Sequence, residues 1–156
     1  MVSVNELSQS LGASRTTIEK YLTLLEQSYV IQRVRSFSRN HRNELKKAFK
    51  VFFLDTGIRN AIIDALETPF EERADKGAVF ENFFIAEQFK SGALETFPPK
   101  IFFWRTDTKL EIDLIKVANK KIDAFECKWN KEDVSFKSFL RAYPDATVKV
   151  VTPKDL

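Results

Sequence analysis

The chain has 156 residues, 44% of them apolar and 30% charged, with a net charge of +3, which fits one medium domain or two small ones around a real core. A single cysteine, Cys127, excludes an internal disulfide framework and a Cys-rich zinc site, and with His41 the only histidine, zinc hydrolysis and Ser-His triads fall away as well. No apolar run approaches the roughly 18 residues of a membrane span and no signal-peptide segment opens the chain, so the expectation is a cytoplasmic protein that meets no membrane.

The charge is unevenly spread. Residues 1–60 hold ten Lys or Arg against five Asp or Glu, whereas residues 61–156 hold fifteen against seventeen. Such a split suggests a basic module suited to phosphate and a second module whose acidic residues have their own task. Residues 4–12 read as a short helix with Ser3 as N-cap and Gly12 as stop. Ser14 caps a second helix running to about Gln27, in which Ile18, Tyr21, Leu22 and Leu25 mark one buried face. The short glycine-containing turn between them is that of a helix-turn-helix. Arg15, Thr16 and Lys20 fall on the other face, toward the end where a recognition helix meets bases or phosphates. Residues 29–31 and 50–54 read as strands around a basic loop with Arg33, Arg35, Arg39, Arg42, Lys46 and Lys47. That is a winged-helix plan with the loop as wing, and its contact with DNA would be electrostatic and salt-sensitive. A winged helix that mediates protein contacts alone is the other reading of the same pattern.

Two of these stretches resemble the winged-helix segment of a large bacterial and archaeal ATPase family. They are Asn5-Glu6-Leu7-Ser8 through to Leu25-Glu26-Gln27-Ser28-Tyr29-Val30-Ile31, and Phe53-Leu54-Asp55-Thr56-Gly57-Ile58-Arg59-Asn60. In that family an N-terminal AAA-type ATPase domain precedes the winged helix and a C-terminal domain. The four glycines here, Gly12, Gly57, Gly77 and Gly92, form no G-x-x-x-x-G-K-[ST] phosphate loop. The resemblance therefore implies a C-terminal fragment whose partner is an AAA-type ATPase domain in the full-length protein.

Residues 67–77 are polar, contain Pro69 and Gly77, and divide a winged-helix domain (1–66) from a second domain (78–156). The second opens with a helix over 78–91 that is apolar on nearly every side and carries Glu81 and Glu87. Strands follow over 100–105, 110–117 and 122–129, the last two joined by a tight turn at 119–121. Asp133 is expected to cap a helix with Phe136, Phe139, Leu140 and Tyr143 on one stripe, and residues 146–152 close with a strand. The order α-β-β-β-α-β predicts a mixed α+β fold with helices packed on a sheet. Glu126 and Lys128 share a strand face, with Asp113 in cross-strand reach. Two carboxylates and a lysine at one sheet edge suit a Mg²⁺-dependent phosphodiesterase, although E-x-K is also ordinary in a half-buried strand. Glu81 and Glu87 either snorkel to a rim or pair with Arg105 or Lys128, or else Glu81 reaches the same cluster. Trp104, Trp129 and Cys127 are expected to pack.

The blocks Gly77-Ala78-Val79-Phe80-Glu81-Asn82-Phe83, Phe103-Trp104-Arg105, Glu111-Ile112-Asp113 and Glu126-Cys127-Lys128 resemble the PD-(D/E)-x-K superfamily, the restriction-endonuclease-like fold, with Ile112 where the proline stands. They also look like the C-terminal domain of the ATPase family. The resemblance implies that Asp113 and Glu126 hold Mg²⁺ or Mn²⁺, with Glu81 a further ligand and Lys128 steadying the attacking water or the growing charge. The function so implied is a metal-dependent deoxyribonuclease domain placed on DNA by the winged helix. The alternative is an inactive DNA-binding or protein-interaction module serving the ATPase.

Overall fold

A computed structural model describes residues 2–38, 48–106, 108–130 and 133–156. Hydroxyl caps open the two N-terminal helices. Ser3 accepts from the Glu6 N–H at 3.2 Å ahead of helix α1 (Val4–Leu11), and Gly12 ends it at φ 60°, a conformation a Cβ disfavours. Ser14 accepts from the Thr17 N–H at 3.1 Å ahead of α2 (Arg15–Gln27). Of the expected stripe on α2, Ile18 and Leu22 are buried, but Tyr21 and Leu25 are 62% and 39% exposed. The core they would join, made by Val4, Ile31 and Phe49, lies on the Ile18 and Leu22 side only.

Among the described residues, seven strands form one mixed sheet in the order β1-β3-β2-β4-β5-β6-β7. They are β1 (Val2–Ser3), β2 (Ile31–Ser36), β3 (Ala48–Phe53), β4 (Lys100–Arg105), β5 (Glu111–Ala118), β6 (Lys121–Cys127) and β7 (Thr147–Val151). Strand β2 pairs antiparallel with β3 and parallel with β4, through Arg35↔Phe102 and Ser36↔Phe103. The hairpin of the basic half and the strands of the acidic half are thus one sheet. Strand β2 also runs further than the sequence suggests, and it draws Arg33 and Arg35 out of the loop into the ladder.

The order after residue 75 is helix α4 (Lys76–Ala93), β4, β5, β6, helix α5 (Lys137–Ala142) and β7, as the pattern predicts; a short α3 (Thr56–Ile62) precedes it. Phe80, Phe84 and Ile85 of α4 pack with Val34, Phe52, Phe103, Leu114 and Cys127. Phe139 and Tyr143, from α5 and its end, pack with Trp104, Ile112, Ile115 and Ala124. The helices therefore cover opposite sheet faces, as the alternation of Ala124 and Cys127 along β6 requires. Asn119 and Lys120, both at positive φ, make the two-residue turn of the β5–β6 hairpin that matches strand twist.

One expectation needs correction. Asp133 does not cap α5, which starts at Lys137 with Phe136 at its N-cap and no side-chain cap; Asp133 instead lines a cleft with Trp129 and Thr152. The polar junction at residues 67–77 carries a packed ion cluster of its own. Arg73, 7% exposed, and Arg59 both hold the Asp75 carboxylate, at 2.8 and 2.9 Å. Hydrogen bonds from Arg73 first and Arg59 second keep that carboxyl well below the usual range. No described helix is long and apolar enough to cross a membrane.

Candidate functional site

The centre starts from a bulge. Phe102 pairs with Ile115 and Trp104 with Ile112, so Phe103 alone faces both Asp113 and Leu114. An extra residue on one strand bends it and re-aims a side chain. Here Leu114 joins the α4 core while Ile112 joins the α5 core. Asp113 then spans to β6, where its Oδ2 accepts the Cys127 N–H at 3.0 Å.

Its other oxygen meets a cation that comes from β3, three strands away on the same sheet face. Lys50 of β3 places Nζ at 2.8 Å from Glu81 Oε1, 2.5 Å from Glu111 Oε1 and 3.3 Å from Asp113 Oδ1. Parity on β3 explains the approach. Phe49, Val51 and Phe53 turn to the α1–α2 core, which leaves Lys50 and Phe52 facing α4. The ammonium also lies 5.7 Å from the Phe103 ring centre and 6.0 Å from that of Phe52, within cation–π range. Burial works against its charge, but Glu81 and Asp113 outweigh burial and raise its pKa above that of an ordinary lysine.

The neighbouring helix is registered by Asn82. Its Oδ1 accepts the Phe53 N–H at 2.9 Å and its Nδ2 donates to the Phe53 carbonyl at 2.7 Å. That amide stands in for a strand on the outer edge of β3, whose pairing with β1 stops at Phe49. Glu81, one residue earlier, is thereby held against Lys50. Arg105 completes the ring of charges by donating to Glu111 at 3.2 Å.

Glu126 and Lys128 form an adjacent pair, with Nζ 3.1 Å from Oε1. Among the described residues, the buried Glu126 Oε2 has no hydrogen-bond partner. Burial and then the Asp113 charge raise the pKa of Glu126, against the pull of Lys128. The Glu81 carboxyl is raised likewise, by burial first and Asp113 second, against Lys50. The Cys127 thiol is pushed up by burial and by Asp113, so it stays protonated and packs with α4.

Of the predicted centre, Glu81 and Asp113 meet through Lys50, and Glu126 with Lys128 stands beside Asp113. Lys50 and Glu111 belong to the centre as well, and the sequence pattern offered only weak notice of them. Hard oxygen donors suit Mg²⁺ in kind, but their arrangement does not fit it. Glu81, Glu111 and Asp113 are turned onto an ammonium, Asp113 also onto a backbone N–H, and Glu126 onto Lys128. Among the described residues, no group of three or more His, Cys, Asp or Glu side chains is placed to hold a metal ion.

The proposed nucleic-acid contacts separate into three groups. Arg15, Thr16 and Lys20 are exposed on the first turns of α2, and Arg35 is exposed on β2. Arg33 is engaged within the protein, by Glu19 at 2.7 Å and by Glu26 at 2.5 Å. Arg39, Arg42, Lys46 and Lys47 lie outside the described residues.

Comparison with known proteins adds family and size. The family described as "Domain of unknown function (DUF4143)" matches residues 76–155, and "Domain of unknown function (DUF8612)" matches residues 1–68. The uncharacterised proteins Rv2008c of Mycobacterium tuberculosis and Mb2031c of Mycobacterium bovis are each 28% identical over 124 residues. That match covers 79% of this chain and 27% of the relatives' length. No solved structure matches the chain.

Proposed function

Since the chain belongs to the family described as a domain of unknown function (DUF4143), we propose its role from its own geometry: a nucleic-acid-binding module that serves an AAA-type ATPase domain elsewhere in the full-length protein. The observation that carries this reading is the outer face of α2. Arg15, Thr16 and Lys20 stand there exposed, at the end of a helix whose free N–H groups favour anions. Among the described residues, none of the three is tied to another part of the fold in the way Arg33 is. The PD-(D/E)-x-K-like second half then acts as a scaffold, because its carboxylates are compensated by lysines of the same chain. The greater length of the relatives is consistent with a further domain for it to serve.

The test is anisotropy of labelled duplex DNA against salt, with wild type and an Arg15→Glu/Lys20→Glu variant. Loss of two phosphate contacts should lower affinity at every salt concentration and flatten the log–log salt slope by roughly 2. Equal affinity and slope in the variant would remove DNA from the reading and leave protein contacts.

A second reading is supported by Glu126. Its unpartnered Oε2 is what a metal-dependent phosphodiesterase with Asp113 and Glu126 as ligands would hold ready. Cleavage of DNA with Mg²⁺ or Mn²⁺ that vanishes in Lys128→Ala would establish it in place of the first.

A further inference from the structure

We propose that Lys50 is a built-in cation: its ammonium takes the place a divalent metal would hold among Glu81, Glu111 and Asp113, and so keeps a hard-cation site closed. Three carboxylate oxygens, one from α4 and two from β5, converge on Nζ at 2.5–3.3 Å. Such convergence of anions needs a positive charge at its centre, because buried carboxylates without one are strongly disfavoured. An ammonium supplies that charge through N–H donors at hydrogen-bond distance. Mg²⁺ would require the oxygens at about 2.0–2.1 Å, with the ammonium gone from the same point. The two cations exclude each other by charge and by space.

Lys50 has little freedom to leave. It shares a strand face with Phe52, its cross-strand partner is the buried Val34, and two aromatic rings flank it. The charge also joins the two family-matched segments, since Lys50 lies within residues 1–68 and the three carboxylates within 76–155. Compensation of the second segment is therefore supplied by the first. This occupancy is independent of whether α2 meets DNA.

The test uses the full chain and Mn²⁺ as probe, with binding followed by calorimetry and electron paramagnetic resonance. Wild type should take up no stoichiometric Mn²⁺ at this cluster. Lys50→Met, similar in length but uncharged, should bind one Mn²⁺ per chain, and adding Asp113→Asn should abolish that uptake. Mn²⁺ uptake by wild type that Asp113→Asn removes would overturn the proposal, and so would a folded Lys50→Met protein that binds none. Should Lys50→Met fail to fold, the wild-type Lys50 ammonium decides the matter by NMR. Its protons should exchange slowly with water and keep their signal in Mn²⁺; rapid exchange, or saturable broadening by Mn²⁺, would refute the occupancy.

Discussion

Replacing Asn82 by Ala tests how the centre is held together, because two backbone groups depend on that one side chain. Asn82 is 4% exposed and makes both of its bonds to Phe53, at 2.9 and 2.7 Å. Truncation strands an N–H and a carbonyl on the outer edge of β3. Each stranded group costs about 1–3 kcal/mol, and partial access of water to the partly buried Phe53 brings the expected loss to about 2–4 kcal/mol. Urea denaturation followed by circular dichroism reads it directly. Asn82→Asp adds a diagnostic. The carboxylate can accept from the Phe53 N–H but sets a second oxygen against the Phe53 carbonyl, whereas the protonated acid can satisfy both groups. The folded-state pKa of the new Asp should therefore be raised. Its stability should be greatest below about pH 4 and should fall as pH rises through that raised value. A loss under about 0.5 kcal/mol in Asn82→Ala, or an Asn82→Asp variant whose difference from wild type is flat with pH, would refute the strand-surrogate role.

Two further outcomes follow from the carboxyls. Burial and Asp113 raise Glu126, so stability that is whole below its unfolded value of about 4.3 should decline as pH rises through the folded one. Glu126→Gln should gain on wild type across that rise in urea melts at successive pH values, and a constant difference would contradict the raised pKa. Asp75 is shifted the other way, by Arg73 and then Arg59; its contribution should be present above about pH 4 and lost as pH falls below. Asp75→Asn should accordingly unfold at lower stability than wild type at pH 7 and converge with it in acid, and parallel curves would contradict the clamp.

Much of the fold was legible because its signals are local. Ser3, Gly12 and Ser14 mark helix ends by hydrogen bonds within a turn, and the spacing of apolar runs revealed the later α-β-β-β-α-β order. What stayed hidden depends on partners distant in sequence. The parallel pairing of β2 with β4 leaves no trace in Arg35-Ser36-Phe37, a stretch that reads as the start of a basic loop. Phe37 nonetheless packs on Phe102 and Tyr143. Strand β3 is covered on both faces, so Val51-Phe52-Phe53 shows no alternation and does not reveal which way Lys50 points. The bulge at Asp113 and Leu114 breaks the period on β5 for the same kind of reason: the extra residue has meaning only opposite Phe103. Carboxylates drew attention as metal ligands because their types are known, while the lysine that compensates them lay 31 residues from Glu81, at the start of a stretch read only as the strand returning from the basic loop.

The most direct measurement is a crystal structure of the wild-type chain grown in MnCl₂, with an anomalous difference map calculated at the centre. The account predicts Lys50 Nζ among Glu81, Glu111 and Asp113 and no manganese peak there or between Asp113 and Glu126. A manganese peak on those carboxylates, with Lys50 turned away, would contradict it.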